Sequence, residues 1–316
     1  MKFSMKSINL FNLKFIFIIF IFIIDITIFN THIIFDKSNN YISYKIDSQK
    51  FSNIENFEQE RFFEIENKLK GFIEMTTDEQ RFVNGMVRKV KPKKIVEIGV
   101  AYGGTSAIIL NAIKDIKGSK LYSIDISKKC YRIPSKNSGF IVNETFPYLM
   151  DKWKLFLGDW PSAFLELIGD GIDFVYLDTV HTTPGEMINW IEILPFLKDE
   201  AFLVMHDVYF MYYQGRVFKQ LINTSNNQLL SYIRAQIILP SYNNNTFDGN
   251  IAAFKLWKNQ QKYYLQYFLA LGTLWQRMPT KRELDNLRKY IDKYYNKFYL
   301  KIFNDAIEKN LIRFIK

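Results

Sequence analysis

The segment IVEIGVAYGGTSAIIL, Ile95–Leu110, followed by LYSID at Leu121–Asp125, decides the fold. Ile95–Ile98 is a short strand-like run, and Gly99, Gly103 and Gly104 interrupt it. Thr105–Ile113 then reads as an apolar helix. A strand, a glycine turn, a helix and a second strand ending in an acid make the first half of a Rossmann-like nucleotide site. Glycines there let a bulky ligand approach the backbone and supply positive φ where the turn needs it. Thr105 or Ser106 can cap the helix, whose free N–H groups face the ligand. Asp125, 22 residues past Gly103, stands where a carboxylate accepts both hydroxyls of a ribose.

The spacing separates cofactors. A dinucleotide fingerprint is G-x-G-x-x-G, whereas this chain has Glu97-x-Gly99-x-x-x-Gly103-x-Thr105, with an acid before the first glycine. Glu97 repels a pyrophosphate and suits a cationic ligand carrying an amino group and a sulfonium. The pattern resembles motif I of the class I S-adenosylmethionine (SAM) methyltransferases. That resemblance implies an α/β fold with a Rossmann-like, doubly wound, seven-stranded mixed sheet. It also implies a cofactor site at Glu97, Gly99, Tyr102, Gly103, Thr105, Ser106, Asp125 and Ile126.

The 316 residues allow one catalytic domain plus extensions. The single cysteine, Cys130, excludes an intrachain disulfide and fits a reducing compartment. Four regions follow: a hydrophobic segment at 1–35, a linker and helical lid at 36–77, the methyltransferase domain at 78–257 and a basic, aromatic-rich helical tail at 258–316. Phe15–Ile24 is unbroken apolar sequence, extending over 13–29 if Asp25 and Thr27 are tolerated. It is short for a spanning helix, which needs about 20 residues, and it lacks a small-x-small cleavage site. It reads as a membrane anchor, with a secretion signal or a misplaced start as alternatives, and the catalytic domain is expected in the cytoplasm. In 36–77, Phe57, Phe62, Ile65 and Leu69 predict a helix over Glu55–Phe72; Asp78–Val90 predicts another, ended by Pro92.

The tail from Lys258 carries +8 of the chain's net +10. Tyr290, Tyr294 and Phe298 recur every four residues, as do Tyr295, Tyr299 and Phe303. Such stripes are the buried face of a helix; the alternatives are an anionic membrane surface or RNA. The stripe also offers a homodimer contact.

Leu155–Leu157 predicts the third strand, ended by Gly158-Asp159-Trp160. In methyltransferases an acid here meets the adenine amino group, so Asp159 and Trp160 join the expected cofactor set; Asp159 also suits capping a helix from Pro161. Ile172–Leu177 is the fourth strand and ends at Asp178, with His181 three residues on. A helix over Glu186–Leu197 leads to the fifth strand, Ala201–Met205, ended by His206-Asp207. In an open α/β sheet ligands sit outside the carboxyl ends of the strands, so Asp178, His181, His206 and Asp207 should converge there. Two of only three histidines fall at these ends.

YLDTVH, a P-G-E helix and FLVMHD resemble the branch that contains macrocin-type O-methyltransferases and cephalosporin hydroxylase-like proteins. Asn250–Leu256 resembles its final strand, and Asp199-Glu200-Ala201 departs from its Gly-Gly turn. The expected activity is therefore SAM-dependent O-methylation of a small-molecule or glycan hydroxyl. His181 is the expected general base, with Asp178 and His206 beside it, and Asp178 and Asp207 are candidate ligands for Mg2+. Nucleic-acid methylation is disfavoured, because Asp178-Thr179-Val180-His181 replaces the N/D-P-P-Y/F motif of base methylation. A SAM-binding interaction module is a further alternative. An iron site drawn from His181, His206 and Asp207 is opposed by the alternation of side chains along a strand.

Overall fold

The computed structural model describes residues 50–208, 233–241 and 250–314. Seven strands lie in the order β3-β2-β1-β4-β5-β7-β6: β1 Lys94–Ile98, β2 Lys120–Asp125, β3 Trp153–Leu157, β4 Ile172–Leu177, β5 Leu197–His206, β6 Ala235–Ile238 and β7 Ile251–Leu256. The first five run parallel, and β7 lies antiparallel between β5 and β6. This is the doubly wound mixed sheet expected from the sequence. Because the chain order reverses between β1 and β4, a crevice opens outside their carboxyl ends.

Side chains alternate across the sheet. Val96, Ile98, Val175, Leu177, Leu203 and Met205 belong to one core with Trp190 and Leu165. The opposite face of β1 carries Ile95 and Glu97, and Glu97 meets Ser106 on the helix after β1. Helix α1, Thr77–Val90, starts in a capping box: the Thr76 hydroxyl accepts the Glu79 N–H, and the Glu79 carboxylate accepts the Thr76 N–H. It buries Phe82, Val83, Met86 and Val87 and ends at Lys91, in left-handed conformation before Pro92. Helix α2 is Gly104–Ile113, and α3, Phe140–Thr145, interrupts the stretch after β2. Helices α4, Pro161–Ile168, and α5, Gly185–Ile193, follow β3 and β4.

Two expected elements differ. The helix anticipated over Glu55–Phe72 is broken into single turns at Glu60–Phe63 and Glu66–Leu69. Glu58 adopts positive φ, and the Gln59 amide donates to the Phe57 and Arg81 carbonyls, so tertiary contacts interrupt the helix. Phe62, Ile65 and Leu69 are nonetheless buried. The helix expected to reach Leu197 ends at Ile193 in a 3-10 turn containing Pro195, because proline cannot continue the ladder.

The basic tail folds as α6, Tyr264–Ala270, α7, Lys281–Tyr294, and α8, Lys297–Phe314. Tyr290, Tyr294, Tyr295, Tyr299 and Phe303 pack with the sheet core, while Phe298 is 55% exposed. The Tyr290 and Tyr295 hydroxyls donate to the Glu192 and Ile191 carbonyls, near the end of α5 where carbonyls lack helical partners. No helix among the described residues is long and apolar enough to cross a membrane; the stretch over 13–29 lies outside them.

Gly99 is the tightest backbone contact at the crevice. It has φ +93, and a Cβ there would lie 1.7 Å from the Asp178 carbonyl oxygen. Neither atom belongs to a flexible side chain, so Gly99→Ala is expected to destabilise the fold by about 3 kcal/mol or more, read by urea denaturation. A loss under about 1 kcal/mol would contradict this packing.

Candidate functional site

Four ionisable groups converge at the ends of β4 and β5. Asp178 follows β4, and its N–H donates to the Ile98 carbonyl at 3.0 Å. His206 ends β5 and is 5% exposed. Asp207 turns out of the strand with φ 56, a conformation uncommon outside glycine. That turn breaks the alternation expected of consecutive strand residues: His206 Nδ1 lies 3.6 Å from Asp207 Oδ2 and 3.4 Å from Asp178 Oδ2. His181 completes the group, with Nε2 2.7 Å from Asp207 Oδ2 and 3.6 Å from Asp178 Oδ1. The Asn250 side-chain amide donates to Asp207 Oδ1.

Two glutamates that the sequence reading did not single out as site residues stand behind the histidines. Glu186 Oε1 is 3.2 Å from His181 Nδ1, and Glu79 Oε2 is 3.7 Å from His206 Nε2. The available signals were the P-G-E start of α5 and the capping position of Glu79, and both also have plain structural explanations. Burial works to lower the His181 pKa, but the Asp207 and Glu186 carboxyls push it up to about 10. His206 is raised well above its usual value against burial by Asp178, Asp207 and Glu79. Burial raises Asp207, yet the two histidines bring it far below the ordinary carboxylate range. The site is a cluster of imidazole–carboxylate contacts.

Asp178, His181 and Asp207 each present a ligand atom, all within 4.8 Å of one another. Two carboxylates and an imidazole in this spread fit a divalent cation that keeps several waters, as Mg2+ does. His206 does not belong to that set.

On the other side of the crevice, Asp125 Oδ2 accepts the N–H groups of Val100 and Ala101 at 3.0 and 3.1 Å, and Oδ1 accepts Ser127 N–H at 2.8 Å. It thereby holds the loop Gly99–Gly103. Oδ2 is taken by its two N–H donors, while Oδ1 keeps further acceptor capacity. Ile126 beside it is 48% exposed, an apolar surface at the mouth. Tyr102 is half-buried, edge-on to Phe72 and Phe140. Gly103, with φ +93, is the N-cap of α2 and abuts Gly139. Thr105, in the first turn, is half-buried. Asp159 accepts Trp160 N–H at 2.9 Å and pairs with Arg282 at 3.5 Å; Trp160 is the N-cap of α4 and packs on the core.

Two expectations for this half are corrected. Neither Thr105 nor Ser106 caps α2, because Gly103 occupies the N-cap. Ser106 instead donates its hydroxyl to Glu97. Glu97 is not a charged group facing the crevice: it is 0% exposed and accepts from Ser106 and Ser123, the latter itself accepting from Trp153 Nε1. Burial pushes its pKa up to about 8. The enclosed carboxyl ties β1 to β2 and α2.

Residues 96–208 match a family model described as a methyltransferase domain. The matched span is thus similar to methyltransferase domains. No curated protein matches the chain. Similar solved structures include an SAH-bound methyltransferase from Podospora anserina, with 16% identity over 62% of this chain and 88% of that one and a TM-score of 0.45. An O-methyltransferase from Bacillus cereus in complex with SAH has 15% identity over 70% of this chain and 96% of its own, TM-score 0.44. TomG from Streptomyces achromogenes, an O-methyltransferase of tomaymycin synthesis in complex with SAM, has 16% identity over 72% and 96%, TM-score 0.44.

The buried Glu97 gives this domain a pH signature. A carboxyl whose native pKa is raised stabilises the fold most below its unfolded value of 4.5, and that contribution is lost as pH rises through about 8. Relative to Glu97→Gln, the wild type should therefore lose a few (about 2–5) kcal/mol across that window. Urea denaturation of both proteins at several pH values measures it; parallel stability profiles would show that Glu97 is not buried as described.

Proposed function

We propose that the enzyme transfers the SAM methyl group to a hydroxyl of a small molecule or glycan. The observation that carries this reading is the position of Asp178, His181 and Asp207 across the crevice from Asp125. A nucleoside held at Asp125 has its ribose hydroxyls on a carboxylate and the apolar surface of Ile126 beside its base, with Asp159 and Trp160 at the adjoining strand end. The acceptor then meets the β4 and β5 ends, beside the His181 imidazole.

Methyl transfer from a sulfonium is an in-line displacement, so positioning carries much of the rate. The hydroxyl must also lose its proton, and His181 is the group placed to take it. The Asp207 and Glu186 carboxyls raise the His181 pKa, and a protonated imidazole is no base. Positive charge brought in by ligands opposes that effect and lowers the pKa toward neutrality. Asp178 and Asp207, with His181 alongside, would hold Mg2+, which would supply Lewis acidity toward an acceptor oxygen. His206, almost wholly enclosed, supports Asp178 and Asp207 electrostatically and does not meet the acceptor.

The tail favours a small acceptor over nucleic acid. An RNA surface needs exposed aromatics among its cations, and most of the aromatic stripe is turned inward against α5 and the sheet. Contact with an anionic membrane and a homodimer remain proposals that rest on the basic exterior and on Phe298.

Calorimetric titration of SAM with and without Mg2+ tests the reading. Asp125→Ala should weaken binding by roughly 10–100-fold, the worth of a hydrogen bond to a charged group. His181→Ala should keep SAM binding and abolish methyl transfer to acceptors found by screening. Unchanged affinity in Asp125→Ala would refute the ribose assignment, and full turnover in His181→Ala would refute the base.

A further inference from the structure

We propose that Glu186 is the positioning residue that fixes the His181 ring across the crevice, an inference that rests on the role given to His181 above. The imidazole is held at both ends. Nδ1 lies 3.2 Å from Glu186 Oε1 on the buried side, and Nε2 lies 2.7 Å from Asp207 Oδ2 on the crevice side. A ring gripped at one nitrogen can swing about that contact; gripped at two, it presents a fixed edge to the acceptor.

Glu186 is a costly residue to keep where it is. It is 0% exposed, and its Oε2 has no hydrogen-bond partner among the described residues. An enclosed carboxyl without full hydrogen bonding is unfavourable, and an apolar side chain of similar volume serves packing better. Besides His181, Glu186 Oε1 faces the Thr179 N–H, at 3.4 Å. The nearby Asp178 carries like charge and works against an ionised Glu186. Of these contacts the imidazole favours a charged group most, with the Thr179 N–H adding less.

The surrounding chain is shaped to hold this geometry. The loop from Asp178 to Glu186 folds back so closely that a Cβ on Gly185 would lie 3.0 Å from the Val180 carbonyl oxygen. Thr183, fully buried, anchors its middle. Its N–H donates to Gln276 Oε1 at 3.1 Å, its hydroxyl donates to the Leu274 carbonyl at 2.7 Å, and its carbonyl accepts the Gln276 and Arg277 N–H groups. The segment after α6 thus clamps the loop, while α7 and the residue after it bind the far end of α5 through Tyr290 and Tyr295. Carboxylates that hold the second nitrogen of a functional histidine orient the ring in the same manner at metal centres.

The test uses the full chain labelled with 15N-histidine, which contains only three histidines. The Nδ1–H signal of His181, assigned by its loss in His181→Gln, should be slow to exchange with water in the wild type. Glu186→Ala should lose that signal, while the isosteric Glu186→Gln should keep it at a shifted position, since its amide oxygen still accepts. SAH affinity by calorimetry should stay within about twofold in both variants, as expected when the cofactor half is untouched. An unchanged His181 signal in Glu186→Ala would overturn the proposal. So would loss of SAH binding in both variants, which would make Glu186 a general fold element. Failure of the wild type to bind SAH would instead sink the methyltransferase reading of the site and leave the Glu186–His181 result standing.

Discussion

The close approach of Gly99 to the Asp178 carbonyl governs the rest of the site. β1 and β4 are neighbours, yet their chains leave in opposite directions, one to the glycine loop and one to the histidine loop. With no side chain at Gly99, the two loops start in backbone contact, and Asp178 N–H can bond the Ile98 carbonyl. In the proposed function, a cofactor on the first loop and an acceptor on the second would face each other across one crevice, the arrangement that in-line transfer requires.

Charge is the second theme. Three crevice-side acids, Asp125, Asp178 and Asp207, stand at strand ends, and two histidines neutralise part of the last pair. Glu186 and Glu79 support those histidines from the protein side. The basic tail lies outside this cluster and contributes through its tyrosines, which satisfy carbonyls of α5 and so steady the helix that carries Glu186. The tail and the sheet belong to one compact unit, Asp47–Lys316, which gives the aromatic stripe its physical reason.

Much of the fold was legible in the residues. Ile95–Ile98, Leu121–Asp125 and Ile172–Leu177 are β-branched or apolar runs bounded by glycine or acid, and the strands begin and end within about a residue of those limits. The convergence of Asp178, His181, His206 and Asp207 followed from strand-end placement alone. What local pattern could not convey was side-chain direction set by tertiary contact. Glu97 sits where a ligand carboxylate is expected, but Ser106 and Ser123 draw it inward. Strand alternation separates His206 from Asp207, but positive φ at Asp207 brings them together. The 55–72 periodicity was correct for burial at Phe62, Ile65 and Leu69 and wrong for continuity, because the Gln59 side chain bonds to the Phe57 carbonyl and to the Arg81 carbonyl of α1.

The central claim is that one crevice holds the nucleoside at Asp125 and the reacting hydroxyl at Asp178, His181 and Asp207. Diffraction from crystals grown with SAH and Mn2+, using the anomalous signal of manganese, tests it most directly. The account predicts ribose hydroxyls on the Asp125 carboxylate and a manganese peak within bonding distance of Asp178 and Asp207. SAH bound away from Asp125 would contradict it. Manganese elsewhere on the protein, with those two carboxylates still paired only to histidine, would remove the metal from the account.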